Sequence, residues 1–153
     1  MNIIDILSKN TISFDIEAKD KNELLDEMME LVSKSSKVLD KDEAKKEILQ
    51  RESIMSTGVG KGIALPHAKT NAVTDSTGAL AILKNKVDYN SLDSKPVDLV
   101  FLLLGRENNV GTHLLLLSKI SRLMNNEEVK QQIKNAGTPD KVIEIFHQLK
   151  DAE

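Results

Sequence analysis

The chain has 153 residues, of which 40% are hydrophobic and 29% charged, a size and composition that suit one domain with a full core. Only 3% are aromatic and there is no Trp, so the core has to come from Leu, Ile, Val, Met and Ala, and a base-stacking platform for single-stranded nucleic acid is argued against. The formal net charge is −3 with no basic run, which removes the electrostatic footprint for DNA or an anionic membrane, and the absence of Cys excludes disulfides, thiol catalysis and Cys-based metal sites.

Met1–Ser8 has neither the basic flank nor the apolar core of a signal peptide. The apolar run Val97–Leu104 falls far short of the ~20 residues that span a bilayer. A cytoplasmic protein without direct membrane insertion is expected.

Thr11–Ile16, T-I-S-F-D-I, alternates apolar and polar residues and predicts a short strand. Asp20 is placed as the N-cap of a helix carrying Leu24, Leu25, Met28, Met29, Leu31 and Val32. Asp40 or Asp42 starts a second, more exposed helix with Ala44, Ile48 and Leu49 on its apolar side. A glycine-rich loop, Thr57–Gly62, leads into a short apolar strand, Ile63-Ala64-Leu65, which ends at Pro66-His67. Thr77–Lys84 predicts another strand, and Asn85–Ser94 is polar and turn-rich. Val97–Leu104 lacks alternation, which implies a central strand buried on both faces. Thr112 is placed as the N-cap of a helix over Leu114–Met124, and Glu127–Asn135 as a short charged helix stopping at Gly137. Thr138 caps a last helix with Pro139 in its first turn. The pattern predicts an α/β fold, one domain with helices on both faces of a sheet.

The glycine loop is not a nucleotide site. Gly62 follows Lys61 where a P-loop needs Ser or Thr, and the loop precedes a strand instead of opening a helix. Among the three histidines, His147 sits inside the last amphipathic helix and reads as a surface residue. His67 is delivered at a sharply defined point, because Pro66 fixes its own φ and pushes Leu65 into an extended conformation. Position alone leaves two readings open for it, a strand-capping residue or a reactive group.

Residues Glu52–Ala68, E-S-I-M-S-T-G-V-G-K-G-I-A-L-P-H-A, resemble the active-site signature of type 2 enzyme IIA domains of the bacterial phosphoenolpyruvate-dependent phosphotransferase system, the fructose/mannitol class. The resemblance continues through Asp88–Asp93, the run Val97–Leu104 and His113-Leu114, so that residues 1–153 read as a single EIIA domain. It implies a mixed sheet flanked by helices, an α-β-α sandwich. It also implies a phosphoryl carrier that takes phosphate from HPr and passes it to a IIB component, meeting the membrane IIC component only through IIB. Residue by residue, His67 matches the phosphoaccepting histidine, His113 the second histidine beside it, and Arg51 the arginine that supports the phosphoryl group. No metal, cofactor or nucleic acid enters this scheme.

Ala68-Lys69-Thr70 resembles the fructose-type members, whereas nitrogen-related regulatory members more often carry Gly-Arg there. The alternative is a regulatory paralogue in which phosphorylation of His67 switches protein–protein binding. Gly105-Arg106-Glu107 departs from the proline-containing segment of many relatives, close to His113.

These residue types suit a relay. With a reference pKa of ~6.5, imidazole is mostly neutral at pH 7 and is therefore a free nucleophile. Phosphoryl transfer spreads charge over three equatorial oxygens, which Arg51 can meet with a planar fork of donors. A histidine in a helix's first turn is held neutral by the local field, so His113 is expected to act as an uncharged donor. A docking face around His67 is expected to include Val59 and Ile63.

Overall fold

Four of the five helices begin at a side-chain cap. The structure, a computed structural model, describes residues 1–153. Helices α1 (Lys21–Val32) and α2 (Lys41–Ile54) start where Asp20 and Asp40 accept from the amides of Glu23 and Glu43, at 2.8 and 3.1 Å. Between them and the C-terminal helices lie strands β1 (Ile12–Ser13), β2 (Gly58–Gly60), β3 (Ile63–Ala64), β4 (His67–Lys69), β5 (Thr77–Val87) and β6 (Val97–Gly105). Helix α3 (Val110–Met124) is the exception, since its N-cap, Asn109, makes no side-chain cap. Asn126 caps α4 (Glu127–Lys134), and Thr138 caps α5 (Pro139–Leu149) with Pro139 in the first turn.

The sheet is mixed, in the order β1-β5-β6-β3-β2, with β4 also paired to β6. Strands β5 and β6 run antiparallel, while β3 and β4 lie parallel to β6, and β1 lies parallel to β5. The unalternating run in β6 has the predicted cause. Val97, Val100, Leu102 and Leu104 face one layer of helices with α1 and α2, and Leu99, Phe101 and Leu103 face the other with α3, α4 and α5. The two layers bury 23 and 19 apolar residues, so neither face of the sheet is open. This is the α-β-α sandwich. No helix is long and apolar enough to cross a membrane.

Element boundaries differ from expectation most at three places, and strands β2 and β4 were not expected. Strand β1 shrinks to two residues because Lys9–Thr11 closes a 3-10 turn just before it. Strand β5 continues past Lys84 to Val87, because Val87 still pairs with Val97 beyond a register shift. Helix α3 begins at Val110, so Thr112 lies inside it and is not its cap.

The glycine loop is a hairpin turn between β2 and β3. Gly60, Lys61 and Gly62 take φ of 100°, 58° and 80° in succession, a left-handed run that only glycine adopts without strain at two of its three positions. At Gly58 the reason is proximity, since a Cβ there would lie 2.9 Å from the Cα of Ser91. Gly58→Ala should therefore cost about 1–3 kcal/mol by overpacking, read as a lower urea midpoint at unchanged slope.

Candidate functional site

His67 does not stand beyond a strand's end, as expected, but opens β4. Ile63 and Ala64 pair with Leu99 and Val100, and His67, Ala68 and Lys69 continue in unbroken register with Leu103, Leu104 and Gly105. β3 and β4 are thus one path along β6, interrupted at Leu65-Pro66. Pro66 gives the ladder its carbonyl, which accepts from Leu103 N–H at 3.0 Å, but it has no N–H to give.

The neighbouring carbonyl, that of Leu65, is taken by the ring of His67, with Nδ1 at 2.7 Å. A carbonyl only accepts, so Nδ1 carries the proton and Nε2 keeps the free lone pair. Burial lowers the pKa of His67, and the positive charge of Arg51 adds to this. The Leu65 carbonyl and the charge of Glu52 act in the opposite sense without reversing it. The ring is half-buried and uncharged at neutral pH.

His113 lies in the first turn of α3, with its amide donating to the Asn109 carbonyl at 3.1 Å. Its ring centroid is 5.9 Å from that of His67, with the planes at 47°. The residue is only 3% exposed, and burial, with smaller contributions from His67 and Lys69, pushes its pKa down to about 4. Its Nδ1 has no hydrogen-bond partner and packs against Gly105, where a Cβ would sit 2.5 Å away. Orphaned buried N–H groups are rarer than under-satisfied buried acceptors, so the proton is assigned to Nε2. The Gly105-Arg106-Glu107 departure thus has a physical role, since its glycine makes room for the second histidine.

Arg51 sits in the last turn of α2, where its Nη1 donates to the Met55 carbonyl at 2.9 Å. Arg51, His67 and His113 line one open cleft of about 750 Å³, so all three expected site residues are brought together. Lys69, Glu47 and Glu107 contribute charge to the same cleft, and Ile54, Val110 and Leu114 give it an apolar rim. Val59 is exposed, as a docking face requires, but Ile63 is not. It is 2% exposed and belongs to the core beneath the sheet, because β3 turns its side chain inward. His147 is exposed on α5 and lies outside the cleft.

Sequence reading gave no role to Glu52, whose carboxylate is buried behind the cleft. Burial alone would raise its pKa, but bonds from Thr57, Lys21 and Tyr89 outweigh this and hold it below the usual carboxylate range. The available signal was Glu52 standing next to Arg51 within the motif.

Residues 5–149 match the family described as phosphoenolpyruvate-dependent sugar phosphotransferase system, EIIA 2. The chain is 43% identical over 148 residues to the fructose-specific EIIABC component of Bacillus subtilis, covering 97% of this chain and 23% of that protein. It is 34% identical over 122 residues to the fructose-specific EIIA component of Haloferax volcanii, covering 80% of this chain and 79% of that one. The crystal structure of the nitrogen regulatory protein IIA-Ntr from Neisseria meningitidis superposes with a TM-score of 0.86 at 32% identity, covering 94% of this chain and 98% of that one. The chain therefore spans about a quarter of the Bacillus relative and most of the other two.

Both imidazoles titrate below 6.5 in the folded chain, so the unfolded chain binds protons first as the pH falls. Stability should be full above pH ~6.5 and decline from there toward pH 4. Urea midpoints at pH 7, 6 and 5 should fall in that order, and less steeply in His113→Gln. Glu52, with its lowered pKa, adds its own loss only in the lower window, as the carboxylate protonates.

Proposed function

Because this chain belongs to the EIIA 2 family of the sugar phosphotransferase system, we propose that it carries a phosphoryl group on Nε2 of His67 in the uptake of fructose or a related sugar. The observation that supports this most is the bond from His67 Nδ1 to the Leu65 carbonyl, which leaves an uncharged Nε2 at a cleft shared with Arg51 and His113. The donor is HPr, carrying phosphohistidine, and the acceptor is a IIB component.

In the forward step the Nε2 lone pair attacks phosphorus as the donor's P–N bond breaks. The positive charge that develops on the His67 ring stays next to the Leu65 carbonyl, which keeps the Nδ1 proton in place. Arg51 offers its remaining N–H groups to the equatorial oxygens, and His113 donates from Nε2–H without adding charge. The uncapped N-terminus of α3 adds positive potential on the same side. The onward step to IIB runs through the same geometry in reverse. Ile54, Val110 and Leu114, exposed around the cleft, form the rim on which both partners dock.

Transport is favoured over regulation by the 43% identity to a fructose-specific relative and by the Ala68-Lys69-Thr70 segment that follows His67. The regulatory reading draws on the likeness to the nitrogen regulatory protein, and in it the same phosphorylation changes partner binding instead of sugar flux.

Incubation with the upstream phosphoryl donor system tests the assignment. The wild-type chain should take up one label per chain and His67→Ala none; stoichiometric labelling of His67→Ala would overturn it. Arg51→Ala should slow uptake on the order of 10²–10³-fold, as loss of a preorganised donor does elsewhere. Nitrogen-15 spectra should show neutral His113 at pH 7 before and after phosphorylation, and a cationic ring in both states would exclude its role as an uncharged donor.

A further inference from the structure

Glu52 lies at the end of α2 with its side chain only 6% exposed, and it is fully engaged. Oε2 accepts from the backbone N–H of Thr57 at 2.7 Å and from Lys21 Nζ at 3.0 Å. Oε1 accepts from the Tyr89 hydroxyl at 2.9 Å and from the Thr57 hydroxyl. Four donors match the four lone-pair sites of a carboxylate, so no capacity remains for a proton or a phosphoryl group in the cleft. Lys21 also lies over the Tyr89 ring at 4.5 Å, which completes the charge compensation.

What Glu52 holds leads to the reactive ring. It grips Thr57 by both its N–H and its hydroxyl, which fixes that residue's orientation. The Thr57 carbonyl accepts from Leu65 N–H at 2.9 Å, and the Leu65 carbonyl accepts from His67 Nδ1–H at 2.7 Å. On the other side, the residue preceding Glu52 is Arg51, whose guanidinium is tied to Met55 within the same short loop. The buried carboxylate is thus linked to the histidine of the cleft through Thr57 and Leu65, while the arginine beside it is held separately by the Met55 carbonyl.

We propose that Glu52 is a positioning residue that fixes the tautomer and placement of His67 through Thr57 and Leu65. This rests on the reading of His67 as the phosphoryl acceptor. Glu52 does not touch the phosphoryl group. Its charge matters for matching Lys21, and its acceptor geometry matters for the ring.

Glu52→Gln and Glu52→Leu separate the two contributions. The amide oxygen of Gln still accepts from Thr57 N–H, and its NH2 donates to the two hydroxyls, which can reverse. Leu fills the volume and accepts nothing. In nitrogen-15 spectra of the histidine rings, His67 should be the Nδ1–H tautomer in wild type and Glu52→Gln, and a tautomer mixture in Glu52→Leu. Phosphoryl uptake by Glu52→Leu should fall roughly 10–100-fold, in kcat and not in KM for the donor, as losses of supporting bonds and small misplacements do. Should Glu52→Leu not fold, Lys21→Met/Glu52→Leu removes the buried charge with its partner and is read in the same way. A folded Leu variant with wild-type tautomer and rate would overturn the proposal, and so would a Gln variant as impaired as the Leu variant. If the wild-type chain takes no phosphate on His67, the functional reading fails on its own, and the tautomer spectra still decide the role of Glu52.

Discussion

A missing N–H at Pro66 organises the site. In a strand, the N–H and C=O of one residue point to the same side, so Pro66 turns its carbonyl to β6 while Leu65 and His67 turn theirs away. The outward carbonyl of Leu65 would lack a strand partner beyond the short hairpin β2-β3. The His67 ring supplies that partner, and in doing so commits its own proton to Nδ1. One hydrogen bond thus satisfies the backbone and leaves the free lone pair on Nε2. The register with β6 then continues without slipping, so His67 is placed by the central strand and not by a loop.

Two uncharged imidazoles 5.9 Å apart are a consequence of burial more than of any one charge. Protonating either would place a cation against the other and against Arg51 or Lys69. The cleft accordingly sets its basic side chains, Arg51 and Lys69, beside two neutral rings.

Features that depend on a single stretch of chain were legible beforehand. The helix starts at Asp20, Asp40 and Thr138 follow from side chains capping the next turn, and the burial of β6 follows from its unbroken apolar run. The fixed placement of His67 was legible through Pro66, whereas its choice as the reactive histidine came from the family resemblance. Features that depend on approach between distant segments were not. Nothing near Gly105 says that a ring from α3 will press against it, and nothing near Glu52 names Tyr89 or Lys21 as its partners. The start of α3 was missed because Asn109 caps it without a side-chain bond, leaving Thr112 as the more persuasive local signal. Ile63 was placed near the docking face with its exposure unread, because its strand is too short to show alternation. In three dimensions it falls on the inner side and Val59, in the hairpin, on the outer.

The three groups of the cleft come from three different storeys of the sandwich. Arg51 rides on α2, which is packed by Ala44 and Ile48 onto one face of the sheet; His113 rides on α3, packed by Leu116 and Ile120 onto the opposite face; His67 belongs to the sheet between them. No single helix pair can carry the constellation by itself. Heat that lets either outer layer slide by a fraction of a helical turn pulls the alignment apart while most of the core is still intact. Thermal loss of the alignment should therefore precede cooperative melting, which makes the cleft a strain gauge for the whole sandwich.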